Sequence, residues 1–164
     1  QNQGVISWYE NDGSQGFTPR IITTEVNGAR SVYAIDVDGD GDVDVLSASD
    51  NDNKIAWHEN DGNEGFTSRI ITTMARGAID VYAVDVDGDG DVDVVSGSHL
   101  DNKVAWYEND GKGGFAKHVI GNNQGSYDLT TVDIDRDGDL DVLIAGHASR
   151  NVVWFQNPLH TTHP

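Results

Sequence analysis

The segment DVDGDGDVDVL that begins at Asp36 returns as DVDGDGDVDVV from Asp85 and as DIDRDGDLDVL from Asp133. A second element recurs four times in the same register: VISWYENDG from Val5, KIAWHENDG from Lys54, KVAWYENDG from Lys103 and NVVWFQNP from Asn151. A third appears as GFTPRIITT, GFTSRIITT and GGFAKHVIG. Three interleaved elements in constant register, with a period of about 49 residues, require one supersecondary unit repeated along the chain. Such a unit buries its apolar faces by stacking on its neighbours.

The apolar segments within each period are short, rich in Val, Ile, Trp and Tyr, and bounded by Gly, Asn and Asp, which reads as strands. In one full period strand A runs from Val81 to Val86, B from Val92 to Ser98, C from Lys103 to Glu108 and D from Phe115 to Ile120. No segment supports a helix of useful length. Asn-Asp-Gly after strand C predicts a tight hairpin into D, and the aspartate segment links A to B. Four strands in about 49 residues predict a β-propeller-type blade, a twisted antiparallel sheet covered on both faces by its neighbours. The expected fold is therefore all-β, with about three blades in a single repeat domain over residues 1–164. A partial blade spans 1–27, full blades 28–76 and 77–124, an incomplete blade 125–158, and a tail 159–164. The count is thirteen strands, beginning with C and D and ending with A, B and C. Three blades are too few to close a ring, so the ends are open. Either the chain is a piece of a longer protein, or copies associate through the end blades.

Charge sharpens this reading. The chain carries 10 basic and 28 acidic residues, a net charge of −18, which excludes an electrostatic nucleic-acid binder. Fifteen of those acids lie in the three aspartate segments, and the remainder of the chain is nearly balanced, so the acidity marks sites more than a general solvating coat. There is no cysteine, which removes disulfides, thiolate zinc sites and cysteine nucleophiles. No apolar run approaches the roughly 20 residues of a membrane span. Gln1-Asn2-Gln3-Gly4 has neither a basic nor an apolar signal region, so any secretion signal is expected to have been removed or to lie outside this sequence.

Carboxylates at alternate positions repel one another: two unit charges about 4 Å apart cost roughly 4 kcal/mol at an effective dielectric of 20. Glycines let the chain curl so that the oxygens converge on a hard cation. Calcium, which takes 6 to 8 oxygens in flexible geometry, fits better than magnesium. The spacing is similar to the first half of an EF-hand loop, but Ser47, Ser96 and Ile144 stand where the closing Glu belongs, and strands flank the segment. The arrangement instead resembles the calcium loops of integrin α-subunit propellers, the FG-GAP or VCBS repeat family, over essentially the whole chain.

That resemblance implies three calcium ions. Asp36, Asp38, Asp40 and Asp44 would be side-chain ligands, with the carbonyl of Asp42 as a fifth. The second loop would use Asp85, Asp87, Asp89, Asp93 and the carbonyl of Asp91, and the third Asp133, Asp135, Asp137, Asp141 and the carbonyl of Asp139. Gly41, Gly90 and Gly138 sit at the turn, and Arg136 replaces the glycine found at Gly39 and Gly88. Three ions would bring the net charge to about −12 and couple metal binding to folding. Plentiful extracellular calcium favours an extracellular or cell-surface location. A solvated acidic loop is the alternative.

Catalytic carboxylates would need divergent environments rather than identical sets in every repeat, so no enzyme activity is expected. Trp8, Trp57, Trp106 and Trp154 read as inter-blade core rather than a stacking platform. Tyr9, His58, Tyr107 and Phe155 point to the opposite face, where their chemical variety suggests looser packing. Asp50, His99 and His147, flanked by Asn51, Leu100 and Ala148, occupy equivalent positions after strand B; this variable loop is either a recognition surface or unconstrained surface. His118, His160 and His163 share no ligand spacing. Two function classes follow. One is a non-enzymatic extracellular recognition module for adhesion or for carbohydrate or protein partners, as the family implies. The other is a self-assembling subunit, ring or filament, joined by strand donation. A third possibility, an ancillary propeller of a polysaccharide-degrading enzyme, would place catalysis outside this chain.

Overall fold

The structure, a computed structural model, describes residues 4–146 and 150–157. His147, Ala148, His160, His163 and the tail 159–164 lie outside the described residues. Among the described residues all regular structure is β, in thirteen strands: β1 (Gly4–Asn11), β2 (Phe17–Val26), β3 (Ala29–Ile35), β4 (Asp44–Ser49), β5 (Lys54–Asn60), β6 (Phe66–Thr72), β7 (Ala78–Val84), β8 (Asp93–Ser98), β9 (Lys103–Asn109), β10 (Phe115–Asn122), β11 (Ser126–Val132), β12 (Asp141–Gly146) and β13 (Val152–Phe155). They form four antiparallel sheets ordered β1-β2, β3-β4-β5-β6, β7-β8-β9-β10 and β11-β12-β13. The first sheet is a hairpin and the other three are blade-like meanders, and among the described residues no barrel closes.

Strand A ends two residues before its expected limit: β7 stops at Val84, and Asp85 and Val86 belong to the aspartate loop. The step after strand C also differs from a tight hairpin. Residues 12–16, 61–65 and 110–114 form five-residue loops closed by Asp12, Asp61 and Asp110, whose N–H groups donate to Gly16, Gly65 and Gly114 carbonyls at 3.0 Å each. The Asp12 carboxylate accepts from the N–H groups of Ser14 and Gly16 at 2.6 and 2.9 Å, which holds its pKa below the usual carboxylate range. The asparagine of the Asn-Asp-Gly triplet is thus the last strand residue, not a turn residue.

Burial follows the stacking of sheets. Ile6, Ile22 and Val26 pack with Trp8, Val45 and Phe66 between the first and second sheets. Leu46, Ile55, Trp57, Val81, Val94 and Tyr107 lie in the core between the second and third, and Val95, Val104, Leu129, Val142 and Ile144 between the third and fourth. Adjacent residues on a strand face opposite ways, so Val94 serves one core and Val95 the next, and every residue of β8 is buried. His58 and Tyr107 are each 1% exposed, so the face expected to pack loosely is tight in the inner blades. His58 fits because its two ring nitrogens meet Ser47 Oγ at 3.0 Å and Ser68 Oγ at 2.8 Å.

Candidate metal loops and an opposed polar cavity

Each aspartate loop joins strand A to strand B. Positive φ at Gly39 (75°) and Gly41 (98°) curls the first loop, which turns its N–H groups inward. Asp36 accepts from Gly39 N at 2.8 Å through Oδ1 and from Gly41 N at 2.9 Å through Oδ2; Asp40 accepts from Asp42 N at 2.9 Å. The second loop repeats this: Asp85 accepts from Gly88 N at 2.7 Å and Gly90 N at 3.1 Å. Oxygens of Asp36, Asp38 and Asp40 lie within 4.8 Å of one another, as do those of Asp85, Asp87 and Asp93 and those of Asp133, Asp135 and Asp141.

The remaining sequence-derived positions have distinct surroundings. Asp44, Asp93 and Asp141 are fully buried, and both oxygens of each accept backbone N–H groups. One donor is the residue after the first loop aspartate, Val37, Val86 or Ile134, at 3.0–3.1 Å. The other is the asparagine that closes strand C, Asn60 or Asn109, or in the last sheet Asn157, two residues beyond β13, at 2.7–2.9 Å. Burial pushes the Asp93 carboxyl up to about 6, against these hydrogen bonds. The Asp42 and Asp91 side chains turn toward Gly62 and Gly111 in the loops that follow strand C; Asp139 is buried. Asp89 and Asp137 accept from Asp91 N at 2.9 Å and Asp139 N at 3.1 Å.

These residues fit a hard cation. The donors are carboxylate oxygens, and an oxygen that accepts one N–H keeps a second lone pair. Burial first, then the charges of Asp40, Asp44 and Glu59, raises the pKa of Asp38, and Asp87 is raised in the same way. Asp133 Oδ1 is buried and has no hydrogen-bond partner, an uncompensated anionic acceptor of the kind a cation satisfies. The three clusters could each hold a metal ion.

The variable loops after strand B lie at the other end of the sheets, six residues of β4 away, or about 20 Å at 3.3 Å per residue. There Asp50 and His99, from neighbouring blades, meet: His99 Nε2 is 3.2 Å from Asp50 Oδ1, and Arg30 Nη2 is 2.8 Å from Asp50 Oδ2. Burial alone would raise the Asp50 pKa, but Arg30 and His99 hold it below the ordinary range. With Ser31, Ile79, Asp80 and Tyr127 they line a cavity of about 530 Å³. A β-bulge in β7 precedes Asp80, whose carboxylate accepts from Ser31 Oγ at 2.8 Å and Leu129 N at 2.7 Å and so ties three blades. The sequence pointed to Asp50 and His99 but not to Arg30, Asp80 or Tyr127, which sit at ordinary strand positions. His118, elsewhere, pairs with Glu108 at 2.8 Å and stacks on Trp106.

No curated protein matches the sequence. Among solved structures, the chain is similar to an Agrocybe aegerita lectin described as specifically recognising non-reducing terminal N-acetylglucosamine. The TM-score is 0.58 at 18% identity, covering 87% of this chain and 41% of the lectin. That likeness concerns the fold alone, and this chain spans about two fifths of the lectin's length. The FG-GAP-like repeat model matches residues 1–47, 36–96 and 85–144; the matches together take in all three aspartate loops, and the chain belongs to the FG-GAP-like repeat family.

Proposed function

We propose that the chain is a non-enzymatic, calcium-stabilised repeat module that recognises carbohydrate outside the cell. The observation that carries this reading is the division between the two ends of the sheets. Three carboxylate clusters gather at one end, and a polar cavity with an exposed aromatic residue, Tyr127, opens at the other. Calcium at one end neutralises loops that would otherwise repel themselves and fixes the strands that carry the other end. Arg30, Asp50 and His99 offer donors and acceptors for sugar hydroxyls, and a tyrosine ring can cover an apolar sugar face. The fold likeness to a lectin supports the same class of ligand.

Titration calorimetry should find about three calcium ions per chain, and EDTA should lower the melting temperature, with recovery in excess calcium. Asp40→Ala and Asp89→Ala should each remove one site, whereas Asp42→Ala should be milder. A glycan array, with N-acetylglucosamine-terminated probes first, should show binding that Asp50→Ala and Tyr127→Ala weaken. Absence of calcium binding overturns the metal half of the proposal, and silence across the array the carbohydrate half.

A second reading, self-association, is favoured by a groove of about 460 Å³ beside β13, lined by Trp106, His118, Ile120, Val142, Trp154 and Phe155. Its exposed strand edge could accept a strand from another copy. Sedimentation of the 164-residue chain in calcium as a monomer, or an oligomer unaffected by deleting residues 1–24, would remove strand donation.

A further inference from the structure

We propose that Asn109 and Asn157 are positioning residues that join consecutive aspartate loops, so that the three loops take up metal as a coupled series; this rests on the calcium reading above. Asn109 is 3% exposed and touches two loops at once. Its backbone N–H donates to Asp93 Oδ1 at 2.8 Å, and its side-chain amide donates to the carbonyl of Val92 at 3.0 Å, both in the second loop. The same amide donates to the carbonyl of Val37 at 3.3 Å, in the first loop. Asn157 repeats the contact one blade on, from Asp141 (2.9 Å) and Leu140 (3.2 Å) in the third loop to Val86 (3.0 Å) in the second.

The carbonyls reached across the blade boundary are placed to sense metal. Val37 lies between Asp36 and Asp38, and Val86 between Asp85 and Asp87. Its carbonyl direction is therefore set by the backbone between two converging carboxylates. Val37 N also donates to Asp44 Oδ2 at 3.0 Å, which ties that peptide to the far end of its own loop. An empty loop, driven apart by like charges, and a filled one present this carbonyl differently, and the asparagine carries the difference into the next loop. The energetic requirement is only that each loop have two arrangements with different hydrogen-bond quality at the boundary. Asn60 supplies an internal contrast. Its amide donates to Val43 O at 3.0 Å and its N–H to Asp44 Oδ1 at 2.7 Å, both within the first loop.

Calorimetric calcium titration tests this with loop knock-outs. A variant keeping only the second loop (Asp38→Ala and Asp40→Ala with Asp135→Ala and Asp137→Ala) is compared with one keeping the first and second loops. With Asn109 present, the second loop should bind calcium roughly tenfold more tightly when the first is intact, within the usual range of coupling between sites. Asn109→Ala, and the milder Asn109→Ser, should bring that ratio close to one. Asn11→Ala, at the equivalent place on β1, where the side-chain oxygen accepts from Gly13 N at 2.9 Å, should leave it unchanged. Circular dichroism on each variant verifies that the strands persist, and Asn109→Ser serves if Asn109→Ala does not fold. A ratio of one with Asn109 present, or an undiminished ratio in Asn109→Ser, overturns the coupling while leaving the calcium reading intact. No calcium binding by the unmodified chain overturns both.

Discussion

The two four-stranded sheets and the final three-stranded sheet are written in one repeat, yet the same residue type has a different fate in each. Trp57, on β5, is 2% exposed, meets Phe115 of the next sheet edge-on at 6.4 Å and lies under the Arg69 guanidinium at 5.3 Å. Trp154, the equivalent on β13, is 42% exposed, because among the described residues no sheet follows it. Tyr9 shows the converse at the other end: it is 62% exposed, while its counterparts His58 and Tyr107 are buried. Tryptophans face the following blade and their strand neighbours the preceding one. Burial in this chain is thus a nearest-neighbour property, as in other stacked repeats.

Replacing tryptophans on both sides of that divide gives the largest expected effect. Trp57→Ala should cost about 3–5 kcal/mol, the range for removing a buried aromatic side chain. Trp154→Ala should cost under about 1 kcal/mol in the isolated chain, since much of its surface already meets water. Urea unfolding monitored by circular dichroism distinguishes these outcomes. Equal losses would mean that Trp154 is covered by another chain.

A comparison within the inner blades comes next. His58 and Tyr107 fill equivalent places, but burial, with a smaller contribution from Lys54, depresses the His58 pKa to about 4. Its folded value lies below the unfolded value of about 6.5, so the unfolded chain takes up this proton first as pH falls. The contribution of neutral His58 is full above about pH 6.5 and is lost progressively between about 6.5 and 4, a change on the order of 3 kcal/mol. His58→Tyr, which copies the neighbouring blade, should flatten that part of the pH–stability curve. A curve of the same shape in the variant would assign the slope to other groups.

Much of this architecture is legible from the repeat. The thirteen strands and the A-to-B position of the aspartate loops follow from spacing and strand chemistry alone. What escaped is the role of the asparagine at or just beyond the end of strand C. Its recurrence at Asn11, Asn60, Asn109 and Asn157 was visible, but local turn chemistry explained it too readily, and a contact more than 70 residues away in sequence, such as Asn109 to Val37, has no local signature. The tight packing of His58 escaped for a related reason: its partners, Ser47 and Ser68, lie on neighbouring strands and read as ordinary polar alternation.

The third loop differs from the others in a way that a single charge can sharpen. Glu59 and Glu108 stand 21 residues after Asp38 and Asp87, and Gln156 the same distance after Asp135. Arg69 and His118 on the D strands pair with the two glutamates at 2.6 and 2.8 Å, whereas Gln156 donates from Nε2 to Asp135 Oδ2 at 2.6 Å. Gln156→Glu exchanges that donor for a negative charge beside the loop. Under the calcium reading it should tighten the third site by roughly threefold to tenfold at low salt, an effect that fades as salt rises. An unchanged or weaker site would show that the glutamine contact supports the loop rather than competing with metal.

The smallest expected effect concerns the backbone of that same loop. Arg136 takes φ 64°, where Gly39 and Gly88 take 75° and 78°. A residue with a Cβ pays a steric penalty in this left-handed region that glycine avoids. Glycine, however, also loses more conformational freedom on folding. The contact of Cβ with the backbone carbonyl is the larger of the two terms, so Arg136→Gly should stabilise the chain by roughly 0.5–1 kcal/mol. Gly39→Arg and Gly88→Arg should destabilise it by a similar amount, and because no heavy atom lies within 4 Å of a Cβ built at Gly39, the loss there would be conformational and not a clash. Thermal melts of Arg136→Gly and Gly39→Arg at fixed calcium read both signs. If both substitutions lower stability, the Arg136 side chain contributes an interaction in the third loop that outweighs its backbone strain, and the three loops differ by more than one glycine.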